Sequence, residues 1–118
     1  MEAEAAPDRF GPRLIGTPKG DIRHLRPNAA ALARMGEGAK PALILFPRFG
    51  AAAAVRGVGA AEVFMRLTQA STNYVTLGRR GFDALTRLIA AKPALAVDYP
   101  DTATAIGLIE DFRQELAA

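Results

Sequence analysis

Lys40-Pro-Ala-Leu-Ile-Leu-Phe-Pro-Arg48 decides the fold class of this 118-residue chain. No continuous apolar run is longer than Ala42 to Phe46, which is too short for a helix of ordinary length and apolar on both faces. Such a run predicts a central strand covered on both sides. Pro47 lacks a backbone N–H and is expected to end it. Arg48 then stands at the strand's carboxyl end, where open α/β sheets gather their ligands.

Working outward, Gly16, Pro18 and Gly20 punctuate a turn, and Asp21 to Arg26 alternates loosely enough to predict a strand. Asn28 is suited to cap a short helix over Ala29 to Met35. On the other side, Ala51 to Val58 predicts an edge strand. Val63, Phe64, Leu67 and Ala70 form one helical stripe, and Phe82, Leu85, Leu88 and Ile89 form a second, with Gly78 and Gly81 between them. Lys92-Pro93 stops the second helix. Leu95 to Tyr99 reads as a strand, and Asp101 or Thr102 caps a last helix carrying Ala105, Leu108, Ile109, Phe112 and Leu116 on one face. The order is β-α-β-β-α-α-β-α, a mixed α/β pattern. Residues 1–12 are expected to form a flexible tail and residues 13–118 a single domain.

Composition excludes several functions. No cysteine and one histidine leave no disulfide framework, no thiolate chemistry and no ligand set for structural zinc. No secretory leader or membrane span is visible, so the expectation is a soluble, cytoplasmic protein. Residues 1–60 hold nine Lys/Arg against five Asp/Glu, and residues 61–118 hold six against seven. The basic half is the one suited to anions.

Candidate contacts follow. His24 has Lys19, Arg23 and Arg26 as neighbours, and flanking cations favour a bound anion over base chemistry at the imidazole. Arg48 is a candidate phosphate ligand, with a surface arginine packed on Phe49 as the plain alternative. Asp98 and Asp101 are read more simply as a strand end and a helix cap than as a base or metal ligands. Asn73 and Tyr74 are read as a helix terminus and a packed aromatic. Phe64, Phe82 and Phe112 are read as core. No residue is assigned a catalytic or metal-binding role.

Several segments together resemble the C-terminal part of the HPr kinase-related proteins, P-loop kinases of the bacterial HPr serine kinase/phosphorylase superfamily. They are Gly16-Thr-Pro-Lys-Gly20 with His24-Leu-Arg-Pro27, Phe46-Pro-Arg48, Phe64-Met-Arg-Leu67 followed by Asn73-Tyr74, and Gly81-Phe-Asp-Ala-Leu85 followed by Tyr99. The resemblance spans about residues 11–112 and implies part of a phosphoenolpyruvate-carboxykinase-like sheet flanked by helices. In that family the phosphate-binding loop and the acidic metal ligands lie N-terminal to everything matched here, and no G-x-x-x-x-G-K-[ST] occurs in this chain.

The resemblance therefore implies the portion of an ATP-dependent serine kinase that lacks the P-loop, inactive alone and without a cofactor of its own. ATP and Mg²⁺ would come with a P-loop half. Lys19, Arg23, His24, Arg26 and Arg48 would contact phosphates or an acidic partner. A truncated sheet leaves an unpaired edge, so the expected partners are a second copy of the chain, a P-loop-containing half, or a protein or peptide substrate. One alternative is a helix-turn-helix-like nucleic-acid module, with Arg79 and Arg80 entering a second helix. It is disfavoured by the poor base-reading set Asp83, Thr86 and Arg87 and by a turn longer than the motif's. The other alternative is a ligand-free structural remnant.

Overall fold

The computed structural model describes residues 7–118 and has the expected mixed α/β class. The chain divides into two compact units, Met1–Ala39 and Lys40–Ala118. Each is described by itself.

The first unit is built on a hairpin, β1 (Leu14–Thr17) and β2 (Gly20–Ile22). Pro18 presets the turn between them, and the Thr17 hydroxyl donates to Gly20 O at 2.6 Å while accepting from the Lys19 N–H at 3.2 Å. The register slips between Leu14↔Ile22 and Thr17↔Gly20, which marks a β-bulge. Gly16 sits in the bulge at φ 69°, a conformation that side chains disfavour, and its N–H donates to Asp21 Oδ1 at 3.0 Å. The sequence reading took Gly16 only as turn punctuation and so missed β1. Residues 1–6 of the expected tail lie outside the described residues. Pro7–Arg9 forms a 3-10 turn, and Phe10 bridges to Leu25. Helix α1 (Ala29–Ala33) starts where expected, with the Asn28 side chain accepting from the Ala31 N–H at 2.8 Å.

The second unit holds a three-stranded sheet in the order β3 (Ile44–Phe49), β5 (Ala94–Tyr99), β4 (Ala54–Gly57). β5 runs parallel to β3 and antiparallel to β4. Two expectations are corrected here. The central strand is β5 and not β3, and Pro47 lies within β3 without ending it. The hydrogen bonding explains both. Ile44 N–H donates to Pro93 O and Gly50 N–H to Tyr99 O. Alternation between those points turns the even-numbered amides of β3 toward β5 and the odd-numbered ones toward the free edge. The N–H that Pro47 lacks therefore belongs to the outer side, where no ladder bond is lost.

The remaining elements are α2 (Ala60–Ala70), α3 (Tyr74–Ala91) and α4 (Thr102–Ala117). α4 is capped as expected by Asp101, whose carboxylate accepts from the Thr104 N–H at 2.8 Å. Ile44, Val63 and Val97 are the buried hydrophobic core among the described residues. Phe64 joins α2 to α3 through edge-on contacts with Tyr74 and Phe82, at ring-centroid distances of 6.0 and 5.8 Å. Asn73 and Tyr74 thus hold the places expected of them. Phe82 is a correction, since it keeps 47% of its surface exposed despite its contact with Phe64.

α3 is broken at Gly78, which lies at φ 53°, ψ −131°. Only glycine reaches that region without strain. The break leaves Tyr74–Leu77 free to turn the ring of Tyr74 toward Phe64, and the straight part of the helix begins at Arg79. Residues 71–78 thus separate α2 from that straight segment, longer than a helix-turn-helix turn. Gly78→Ala is expected to cost about 1–3 kcal/mol, read as a lower midpoint in urea unfolding. An unchanged midpoint would show that the break is not fixed by the rest of the unit.

Candidate functional site

Residues two apart on a strand share a face. That places Phe46 and Arg48 of β3, Ala54 and Arg56 of β4, and Ala96 and Asp98 of β5 on one side of the sheet. The register sets Arg48 against Asp98, Phe46 and Arg56 against Ala96, and Ala54 against Asp98. α2 adds Arg66, and together these residues line a cleft of about 230 Å³. The floor is small because Ala54 and Ala96 leave room above the central strand, and the walls are guanidinium groups.

Two ion-paired clusters form those walls. Arg48 grips Asp98 in a two-pronged fork, Nε to Oδ1 at 3.0 Å and Nη2 to Oδ2 at 2.6 Å. Glu62, on the first turn of α2, accepts from Arg56 at 2.7 and 3.2 Å and pairs with Arg66 at 2.7 Å. The Arg66 guanidinium carbon also lies 5.0 Å from the centroid of the Phe46 ring, a cation–π contact. Three arginines face two carboxylates, so the cleft carries one positive charge in excess.

These pairs perturb titration in the direction of charge retention. The Glu62 carboxyl is held below the ordinary glutamate value, first by the hydrogen bond from Arg56, against partial desolvation, with the charges of Arg56 and Arg66 adding to it. Arg48 and Arg56 are raised further by their hydrogen bonds to Asp98 and Glu62. The Arg48 side chain is 71% exposed and Asp98 only 23%. Exposed ion pairs contribute little to stability. The fork's effect is instead to hold a planar donor array at the carboxyl ends of the parallel pair β3 and β5, with the outer edge of Arg48 turned to solvent.

The sequence-derived candidates divide between the units. Lys19 lies in the β1–β2 turn and is exposed. Arg23 donates from Nε to Gly11 O at 3.0 Å and rests 5.1 Å from the Phe10 ring centroid, which ties down the segment before β1. His24 accepts the Gly11 N–H through its backbone oxygen at 2.8 Å, and Arg26 pairs through its backbone with Arg9. Arg48 alone belongs to the sheet unit and lies in the cleft.

Asp98 reaches the cleft as the partner of Arg48. Asp101 serves as a helix cap, and the Thr104 N–H holds its pKa below the ordinary aspartate value.

Sequence reasoning missed Arg56, Glu62 and Arg66. The i,i+4 spacing of Glu62 and Arg66 was a legible signal for a helical ion pair. Nothing in the sequence placed Arg56 beside them, because that depends on β4 pairing with β5.

Among the described residues no cluster of acidic or histidine side chains could hold a metal ion, and no helix is long and apolar enough to cross a membrane. No family model, curated protein or solved structure matches this chain.

Proposed function

We propose that this chain is a phosphate- or partner-contacting portion of an HPr kinase-like serine kinase, the part without the P-loop, and that it does not transfer phosphate alone. The observation that supports this reading is the Arg48–Arg56–Arg66 cleft at the carboxyl ends of β3 and β5, with its single excess positive charge. Arginine forks suit the oxygens of phosphate and carboxylate groups. The volume is below the roughly 300–1,000 Å³ of sites that enclose a drug-sized ligand. The cleft therefore suits one anionic group of a larger partner better than a whole nucleotide. In this reading ATP and Mg²⁺ belong to a P-loop-bearing half, and this chain supplies contacts to the substrate side.

Calorimetric titration of the full chain with inorganic phosphate and with a phosphoserine peptide tests the reading. Binding is expected to be weak and to fall as salt rises. Arg48→Gln combined with Arg56→Gln is expected to weaken it about tenfold, with the fold unchanged by circular dichroism. No anion binding at low salt, or tight ATP binding by the chain alone, would overturn the proposal.

A further inference from the structure

The two free edges of the sheet differ. On β3 the outward-facing backbone groups belong to Leu45, Pro47 and Phe49, so the middle position has no donor. Proline at a sheet edge is a common guard against pairing with another chain. On β4 the Val58 N–H donates to Ala94 O at 2.9 Å, and the antiparallel register runs Gly57↔Leu95, Arg56↔Ala96, Val55↔Val97, Ala54↔Asp98. By alternation the even-numbered residues of β4 bond to β5, and Val55 and Gly57 turn their N–H and C=O groups outward. All four residues of β4 are exposed, and neither outward position carries a proline or a charge.

We infer that the β4 edge pairs with the β4 edge of a second copy, antiparallel about a two-fold axis through Val55, giving a continuous six-stranded sheet. The choice of occupant comes from self-complementarity. Centred on Val55, the pairing makes both hydrogen bonds between Val55 and its counterpart, sets two β-branched side chains opposite each other, and places each Arg56 opposite an Ala54. Moving the centre to Arg56 would set two cations directly opposite, which is unfavourable. Moving it to Ala54 would pair β4 with residues before the strand begins. In the Val55 register the assembly ends at both sides in a β3 edge carrying Pro47, so growth stops at two copies. The two-fold axis is perpendicular to the sheet, so the two arginine clefts open on the same face, with Arg56 of the second copy bordering Ala54 of the first.

This inference stands whether or not the cleft binds an anion, because its readout is mass alone. Light scattering of the full chain at micromolar concentration is expected to give a dimer. Val55→Lys sets like charges opposite each other and is expected to give a monomer with unchanged circular dichroism. Val55→Glu should do the same. Mixing the two variants in equal amounts is expected to restore the dimer, which a folding defect would not do. Phe49→Lys, on the guarded edge, should leave the dimer intact. A monomeric parent chain, a Val55→Lys variant that still dimerises, or a Lys/Glu mixture that stays monomeric would each overturn the inference.

Discussion

Val97→Asp should abolish cooperative unfolding of the sheet unit. Val97 is 5% exposed and lies in the central strand, with Pro47 beside it on β3 and Val55 on β4. Val97 and Val55 project to the face opposite the arginine cleft, so no cation on these strands stands ready to neutralise a carboxylate there. An aspartate at this position must be buried unpaired or must take up a proton. The expected cost exceeds about 4 kcal/mol, the range in which single substitutions become diagnostic. A unit the size of residues 40–118 has a total stability on the order of 4–12 kcal/mol, so most of it would be lost. Urea denaturation followed by circular dichroism reads the result, and Val75→Asp, at a position that is 90% exposed, provides the contrast. A Val97→Asp variant that unfolds at the parent midpoint would show that β5 is not the covered centre of the sheet.

Glu62→Gln should strengthen anion binding in the cleft. Glu62 neutralises part of both Arg56 and Arg66, and the change raises the excess charge from one to two while keeping nearly the same shape. Affinity for phosphate or sulfate is expected to rise about three- to tenfold at low salt, with the gain shrinking as ionic strength increases. Loss of affinity would instead mean that the carboxylate positions the two guanidinium groups and that position outweighs charge. The same residue leaves an acid-side signature. Its pKa is lower in the folded state than in the unfolded one. Its favourable contribution is therefore complete above the unfolded value and is lost as pH falls through the folded one. Glu62→Gln should remove that part of the acid dependence of stability.

Local signals were legible in the sequence, and pairings across long separations were not. Asn28 and Asp101 announced their helices because a cap acts within three residues, and Lys92-Pro93 ended α3 for a similarly local reason. The strand at Ala42 to Phe46 was visible as a run, yet its place in the sheet was misjudged. An apolar run measures hydrophobicity, while edge or centre depends on which strand arrives from 50 residues away. Pro47 was taken as a terminator because the sequence does not show which side its missing N–H faces. The candidate site divides in the same way. Arg48 was found from its position at a strand end, whereas Arg56 and Arg66 came into view only when β4 and α2 were placed around β5. The four candidates from residues 19–26 were grouped by nearness in sequence, and in the structure Arg23 serves as a tie to the segment before β1.

The Arg48–Asp98 fork joins residues 50 positions apart, and every ladder bond of the second unit's sheet involves β5. This has a consequence for synthesis. At about 5–20 residues per second, β3 and β4 wait roughly 2–10 s on the nascent chain before their shared partner exists. Two strands that flank β5 in the finished sheet cannot satisfy each other in the interval, and closing so long a loop makes the last step slow. Ala42 to Phe46 is then an unprotected apolar segment of the kind that seeds aggregates, and Pro47 with Arg48 directly after it is a gatekeeper pair of the kind that limits such growth. The two residues that close one edge of the mature sheet also guard the unfinished chain.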